Sequence, residues 1–154
     1  MREILKREQY SAKDAESLLF LAKQFVDGIE KIDYMVIAIA GVVHDHAKVK
    51  ITNIKHWPEV VADEFKHELN IPHVIILNDF EANGYGVQII GKDDYIEITE
   101  NKPVKYGNIG VVGAGTGLGE AYLSHKHGTE FYNVHPCEGG HTEFCAMTLL
   151  DFEF

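Results

Sequence analysis

Asn108-Ile109-Gly110-Val111-Val112-Gly113-Ala114-Gly115-Thr116-Gly117-Leu118-Gly119 is the stretch that decides how this chain is read. An apolar run enters a loop with glycine at 113, 115, 117 and 119. Glycine tolerates positive φ and lets backbone approach a ligand closely. Successive N–H groups in such a loop form a concavity suited to phosphate oxygens. A bland tight turn is the competing reading, but alternating glycines around Thr116 favour a phosphate cradle. Two familiar cradles are excluded by spacing. A Walker A loop needs Lys after its last glycine, and Glu120 stands after Gly119. The dinucleotide fingerprint Gly-x-Gly-x-x-Gly fails in both registers, because Leu118 or Glu120 falls where its third glycine belongs. Glu120 to His125 then alternates like a strand, so the loop is read as strand–turn–strand.

Outward from the loop, helices alternate with apolar strands. Ser11 precedes a helical pattern that runs from Ala15 to Ile29, with Asp14 completing a capping box and Gly28 marking the end. Tyr34 to Ala40 reads as a strand buried on both faces. Lys48 to Thr52 reads as a half-exposed strand, and Pro58 as the first position of a helix carrying Val60, Val61, Phe65 and Leu69. Val74 to Leu77 is another buried strand, with a short helix after Asn78-Asp79. Asp93 to Thr99 is either an edge strand or a loop insertion, Thr129 to Val134 a further strand, and Phe144 to Phe154 the start of a helix. This is an α/β chain with a mixed sheet. Met147 to Phe154 stops in mid-pattern with Leu149, Leu150, Phe152 and Phe154 still to bury, which reads as a fragment.

Composition narrows the function classes. A chain of 154 residues with 45% hydrophobic content is one domain's worth of globular sequence. A net charge of −10 argues against a nucleic-acid groove. Cys137 and Cys145 make no disulfide framework, so a reducing compartment, the cytoplasm, is expected. No apolar run is long enough to span a bilayer, so no membrane partner is expected.

Two other groups could carry chemistry. Asn78 and Asp79 follow a buried strand, where ligands bind in open α/β sheets. Asp79 is either a general base or the cap of the next helix, and Asn78 can hold a substrate hydroxyl. In Glu138-Gly139-Gly140-His141, two glycines turn the chain between a carboxylate and an imidazole. That pair suits a polyol. Zinc is the rival reading, given Cys137 and Cys145, but no Cys-x-x-Cys or His-x-x-x-His spacing supports it, and no metal site is assigned. The remaining histidines, including His125 and His127, read as surface or strand-end residues, and Thr52 to Trp57 as a helix lead-in.

Taken in order, Ala38-Ile39-Ala40-Gly41, Thr52-Asn53 with Trp57, Leu77-Asn78-Asp79-Phe80, the glycine loop and Glu138-Gly139-Gly140-His141 closely resemble the bacterial-type glucokinase family. The resemblance implies the actin-like ATPase (ribonuclease H-like) fold, with a mixed sheet and flanking helices. It implies residues 1–110 as the latter part of a small α/β domain and 111–154 as the opening of a large one. It also implies ATP- and Mg²⁺-dependent phosphorylation of glucose at its 6-hydroxyl, in glycolysis. Asp79 would match the catalytic base, and Asn78, Glu138 and His141 the residues that hold the sugar. Gly113, Ala114, Gly115, Thr116, Gly117 and Gly119 would match the second phosphate loop. A homodimer is implied for the full-length protein. The family's first phosphate loop, Asp-x-Gly-Gly-Thr, does not occur in this sequence. A non-catalytic sugar-binding or interaction module is therefore the alternative, and a dinucleotide oxidoreductase is disfavoured by the register of the glycines.

With only one phosphate loop, the 154-residue chain is expected to bind glucose weakly at best and not to turn over. A coupled assay for glucose 6-phosphate, run with ATP and glucose, should stay at background; robust production refutes the expectation.

Overall fold

The computed structural model describes residues 3–51, 53–115 and 117–142. The expected helix from Phe144, together with Thr52, Thr116 and Cys145, lies outside the described residues. The chain divides into two compact units, Met1–Ala82 and Asn83–Phe154.

In the first unit, helix α1 (Leu18–Val26) precedes strand β1 (Tyr34–Ile39). Three short strands, β2 (Val43–His44), β3 (Lys48–Val49) and β4 (Val60–Val61), form an antiparallel sheet. Helix α2 (Ala62–Leu69) leads to β5 (His73–Asn78), and helix α3 (Asp79–Val87) starts directly from it. Strands β1 and β5 pair in parallel, from Tyr34 with His73 to Ile39 with Asn78. The core lies on one side of this pair. Val49, Val60, Phe65, Ile71, Val74 and Ile76 are buried together, with Leu18 and Leu19 packed against them. Asn70 ends α2 in the left-handed conformation, and its N–H bonds the Lys66 carbonyl, as an αL cap requires. Lys23 of α1 reaches Glu68 of α2 at 2.6 Å. The Lys23 hydrogen bond and charge hold the Glu68 carboxyl below its ordinary range.

Three sequence expectations change here. The first helix starts at Leu18, not near Ser11: Ser17 is its N-cap, and its hydroxyl accepts the Phe20 N–H at 3.0 Å. The Ala15 carbonyl is taken by side chains instead, accepting from Trp57 Nε1 at 2.7 Å and meeting His56 Nε2 at 3.1 Å. A carbonyl used this way does not serve a helical ladder. Trp57 is thus more than a helix lead-in, since it fastens the segment before α1. Second, α2 begins at Ala62 rather than Pro58, because Val60 pairs with Val49 and Val61 with Lys48. These β-branched residues satisfy their backbone in a ladder. Third, β1 is buried on one face only. Met35, Ile37 and Ile39 turn toward the core, while Tyr34 and Val36 are 69% and 59% exposed.

In the second unit, β6 (Ile109–Ala114), β7 (Leu118–His125) and β8 (Tyr132–Cys137) form an antiparallel sheet in that order. The strand–turn–strand reading of the glycine loop is therefore correct. Its core holds Ala121, Leu123 and Val134. Gly84 of α3 lies so close to Val134 that a Cβ there would overlap its methyl group. Gln88 accepts the Tyr132 N–H at 3.1 Å and fixes the start of β8. That strand starts later than expected, because Thr129 closes a turn on the Lys126 carbonyl, with Gly128 at φ +81°. Lys92–Asp94 is a single 3-10 turn, and Ile96 and Ile98 behind it are exposed, so 93–99 is loop and not strand. Among the described residues, no helix is long and apolar enough to cross a membrane.

Trp57→Phe keeps an aromatic six-membered ring but deletes the five-membered ring with the N–H given to the Ala15 carbonyl. It is expected to lower unfolding free energy by about 0.5–1.5 kcal/mol, measured by urea denaturation.

Candidate functional site

The β5–α3 elbow shows which side chain caps α3. Asn78, not Asp79, caps the helix. Its Oδ1 accepts the N–H groups of Phe80 at 2.9 Å and Glu81 at 3.2 Å. Its Nδ2 donates to the Gly41 carbonyl at 3.2 Å, tying the elbow to the chain just after β1. Gly41 sits at φ +146°, and a Cβ there would press on Val49 and the Lys50 carbonyl. Asn78 is buried, and Asp79 beside it is half-buried. Asp79 accepts only the adjacent Phe80 N–H, at 3.1 Å, among its described hydrogen bonds. A carboxylate that is not consumed by the cap keeps lone pairs for a substrate proton.

Glycine pairing shapes the hairpin tip. Gly113 pairs with Gly119 and Ala114 with Leu118. Gly115 N–H then donates to the Gly117 carbonyl at 2.9 Å. This corrects the expected geometry in two ways. Among the described residues, the glycines at positive φ are Gly28, Gly41 and Gly128, none of them in this loop. The Gly115 N–H is also spent inside the hairpin. What the glycines provide is bare backbone. A Cβ at Gly117 would meet nothing, and one at Gly115 only the edge of the Gly117 carbonyl at 4.0 Å. Packing does not require glycine at either position, so the tip suits close approach of a ligand such as a phosphate chain. Thr116, expected in the same cradle, lies outside the described residues.

The second unit brings the hairpin and the Glu-Gly-Gly-His turn together. Gly139–His141 forms one 3-10 turn, with His141 N–H bonded to the Glu138 carbonyl at 3.0 Å. His141 Nδ1 lies 3.1 Å from Glu138 Oε2, and both side chains are exposed. The turn sits against the start of β7. A Cβ on Gly140 would overlap the Leu118 carbonyl oxygen, and one on Gly139 would meet the Glu120 carboxylate. Gly140 is therefore demanded by packing against backbone, unlike the glycines of the tip, whereas at Gly139 the flexible Glu120 side chain could move aside. The Cys137 thiol is exposed; it accepts the Gly139 N–H at 3.3 Å and lies 3.8 Å from Glu120.

Sequence reading missed two carboxylates. Glu120 lies beside the turn because it pairs with Cys137 across β7 and β8. Glu81 is almost fully buried and meets His46 Nε2 at 3.1 Å. Its signal was present: Asn78 followed three residues later by an acid is a capping-box spacing. His125 and His135 are used locally, stacked on Tyr106 and Tyr122.

The glucokinase family profile matches residues 1–154. The chain is 34% identical over 152 residues to a glucokinase of Nostoc punctiforme, covering 96% of this chain and 42% of that protein. It is 32% identical over 145 residues to a glucokinase of Pectobacterium atrosepticum, covering 94% of this chain and 44% of that protein. Its fold matches the crystal structure of a glucokinase from an Antarctic psychrotroph at a TM-score of 0.73 and 27% identity, over 93% of this chain and 44% of that one. The chain thus spans less than half the length of these relatives, and its mixed α/β fold is part of theirs, the actin-like ATPase fold.

Gly140→Ala is expected to push the turn away from the Leu118 carbonyl. Overpacking of this kind costs about 1–3 kcal/mol, which urea denaturation reads. The His141 ring resonances are expected to shift in the same variant.

Proposed function

The chain belongs to the glucokinase family, and from that premise we propose that it carries the sugar-activating part of an ATP-dependent hexose kinase acting on glucose. The observation that carries the reading is the elbow. Asn78 takes over the helix cap, and this leaves the Asp79 carboxylate available at the carboxyl end of β5. In this reading Asp79 accepts the proton of the sugar 6-hydroxyl as that oxygen attacks phosphorus. The Asn78 amide has a second N–H beside the one given to Gly41, and a sugar hydroxyl can accept it. Glu138 accepts hydroxyl hydrogens, and His141, held by Glu138, donates or accepts. The bare backbone at Gly115 and Gly117 is the part of the loop that approaches the nucleotide phosphates. Bound ATP, with Mg²⁺, supplies the phosphoryl group and neutralises its charge. The protein's own part is positioning and electrostatic stabilisation, which dominate phosphoryl transfer.

Residues 1–110 are then the latter part of a small domain and 111–154 the opening of a large one. The setting is the cytoplasm, and the full-length enzyme works as a homodimer.

Glucose titration followed by ¹H–¹⁵N NMR tests the sugar site, since it detects weak binding. Resonances of Asn78, Asp79, Glu138 and His141 are expected to move. Glu138→Ala is expected to weaken the apparent affinity about tenfold, as loss of hydrogen bonds to a charged group does. A titration that moves none of the four sinks the reading. In any form of the sequence that turns over, Asp79→Asn should lower kcat by about 10²–10⁴-fold, the range for a general base, with a much smaller change in KM.

A further inference from the structure

The proposed reaction leaves one buried ionisable group without a task. Glu81 lies in the first turn of α3, two residues after Asp79, and is 4% exposed. A carboxylate is seldom buried without a partner. In a capping box it would turn back to the N-cap backbone. Here it meets His46 Nε2 at 3.1 Å. His46 is itself unusual. It lies in the turn between β2 and β3, and Asp45 and His46 take φ of 51° and 53°. Left-handed backbone is uncommon for residues other than glycine and is retained where the surroundings over-determine it. Two contacts do so. The His46 carbonyl accepts the Ile76 N–H at 2.9 Å, and the imidazole reaches Glu81. The turn is thus fastened to β5 before the elbow and to α3 after it. Asn78 and Asp79 lie between those two anchor points.

We propose that His46 and Glu81 are a positioning pair that clamps the β5–α3 elbow and so fixes where Asn78 and Asp79 point. The proposal rests on the reading of Asn78 and Asp79 as sugar-site residues. The clamp acts together with the bond from Asn78 to Gly41. One holds the elbow from the end of β1 and the other from the β2–β3 turn. Neither His46 nor Glu81 is assigned contact with the sugar. Histidine serves at 46, where glycine would suit the backbone better, because the imidazole supplies the donor that Glu81 needs.

His46→Gly separates this role from a merely structural one. It relaxes the left-handed backbone, so the variant is expected to fold, while the imidazole is lost. Amide hydrogen exchange on the 154-residue chain reads the elbow without any ligand. The Phe80 and Glu81 N–H groups, both given to Asn78, are expected to exchange about tenfold faster in His46→Gly and in Glu81→Ala, as loosening worth one hydrogen bond implies. The double variant should add nothing further. Glu81→Gln keeps a carbonyl that accepts from the imidazole, so it should retain most of the protection. Unchanged exchange at Phe80 and Glu81 in His46→Gly, or additive effects in the double variant, overturns the proposal. Because this measurement uses no sugar, faster exchange supports the clamp even where glucose moves no resonance, an outcome that counts against the sugar site alone.

Discussion

One buried side chain holds the β5–α3 end of the first unit together. The Asn78 amide performs a backbone task and a tertiary task at once. Its oxygen terminates the free N–H groups that α3 would otherwise leave bare, and its nitrogen grips the Gly41 carbonyl. An asparagine is suited to this because one planar group carries both an acceptor and donors. Aspartate at 78 would cap as well but could not donate to Gly41. The consequence falls on the neighbour. With the cap supplied from position 78, the Asp79 carboxylate accepts only the adjacent Phe80 N–H among its described hydrogen bonds.

The second unit turns on glycine rather than on a capping side chain. Here glycine has two distinct uses within thirty residues. At Gly140 it makes room for the protein itself, since the turn lies directly on the Leu118 carbonyl. At Gly115 and Gly117 packing among the described residues does not ask for glycine, because a Cβ there would meet no more than the Gly117 carbonyl at 4.0 Å. The two groups look alike in sequence, and only packing tells them apart. The turn is braced from both ends, by the Glu138–His141 contact and by the Thr142 hydroxyl on the Gly139 carbonyl at 2.6 Å.

Sequence carried the periodic features well. The β6–β7 hairpin, the strand ending at Asn78 and the helix after it were legible from apolar runs and glycine punctuation. The candidate site residues stand out in sequence because they lie in short ordered motifs, Asn78-Asp79 and Glu138-Gly139-Gly140-His141. What escaped depends on partners remote in sequence. Nothing near Ser11 reveals that the Ala15 carbonyl is claimed by Trp57, more than forty residues away. Pro58 looks like a helix start until Val60 is seen opposite Val49. The strand at Tyr34 reads as wholly buried because its composition is apolar throughout, yet α1, α2 and the small sheet cover only its inward residues. Glu81 was visible as part of a capping pattern, but its choice of His46 is a tertiary fact. The glycine conformations were wrongly anticipated for the same reason, since alternation suits a twisted ladder as well as a nest.

The β6–β7–β8 sheet and the β1–β5 pair also differ in how they can form. Strands β6 and β7 meet across a tip of a few residues, so their pairing is local and closes a small loop. The β1–β5 pair joins Tyr34 to His73, and everything from β2 to α2 must be gathered in before that ladder can zip. Loop closure of that span is an entropic toll taken before any contact rewards it. The glycine hairpin is thus built for microseconds and the Asn78 elbow for a slower clock. The bond from the residue that caps α3 to Gly41 spans the same long stretch of chain as that ladder and shares its entropic cost.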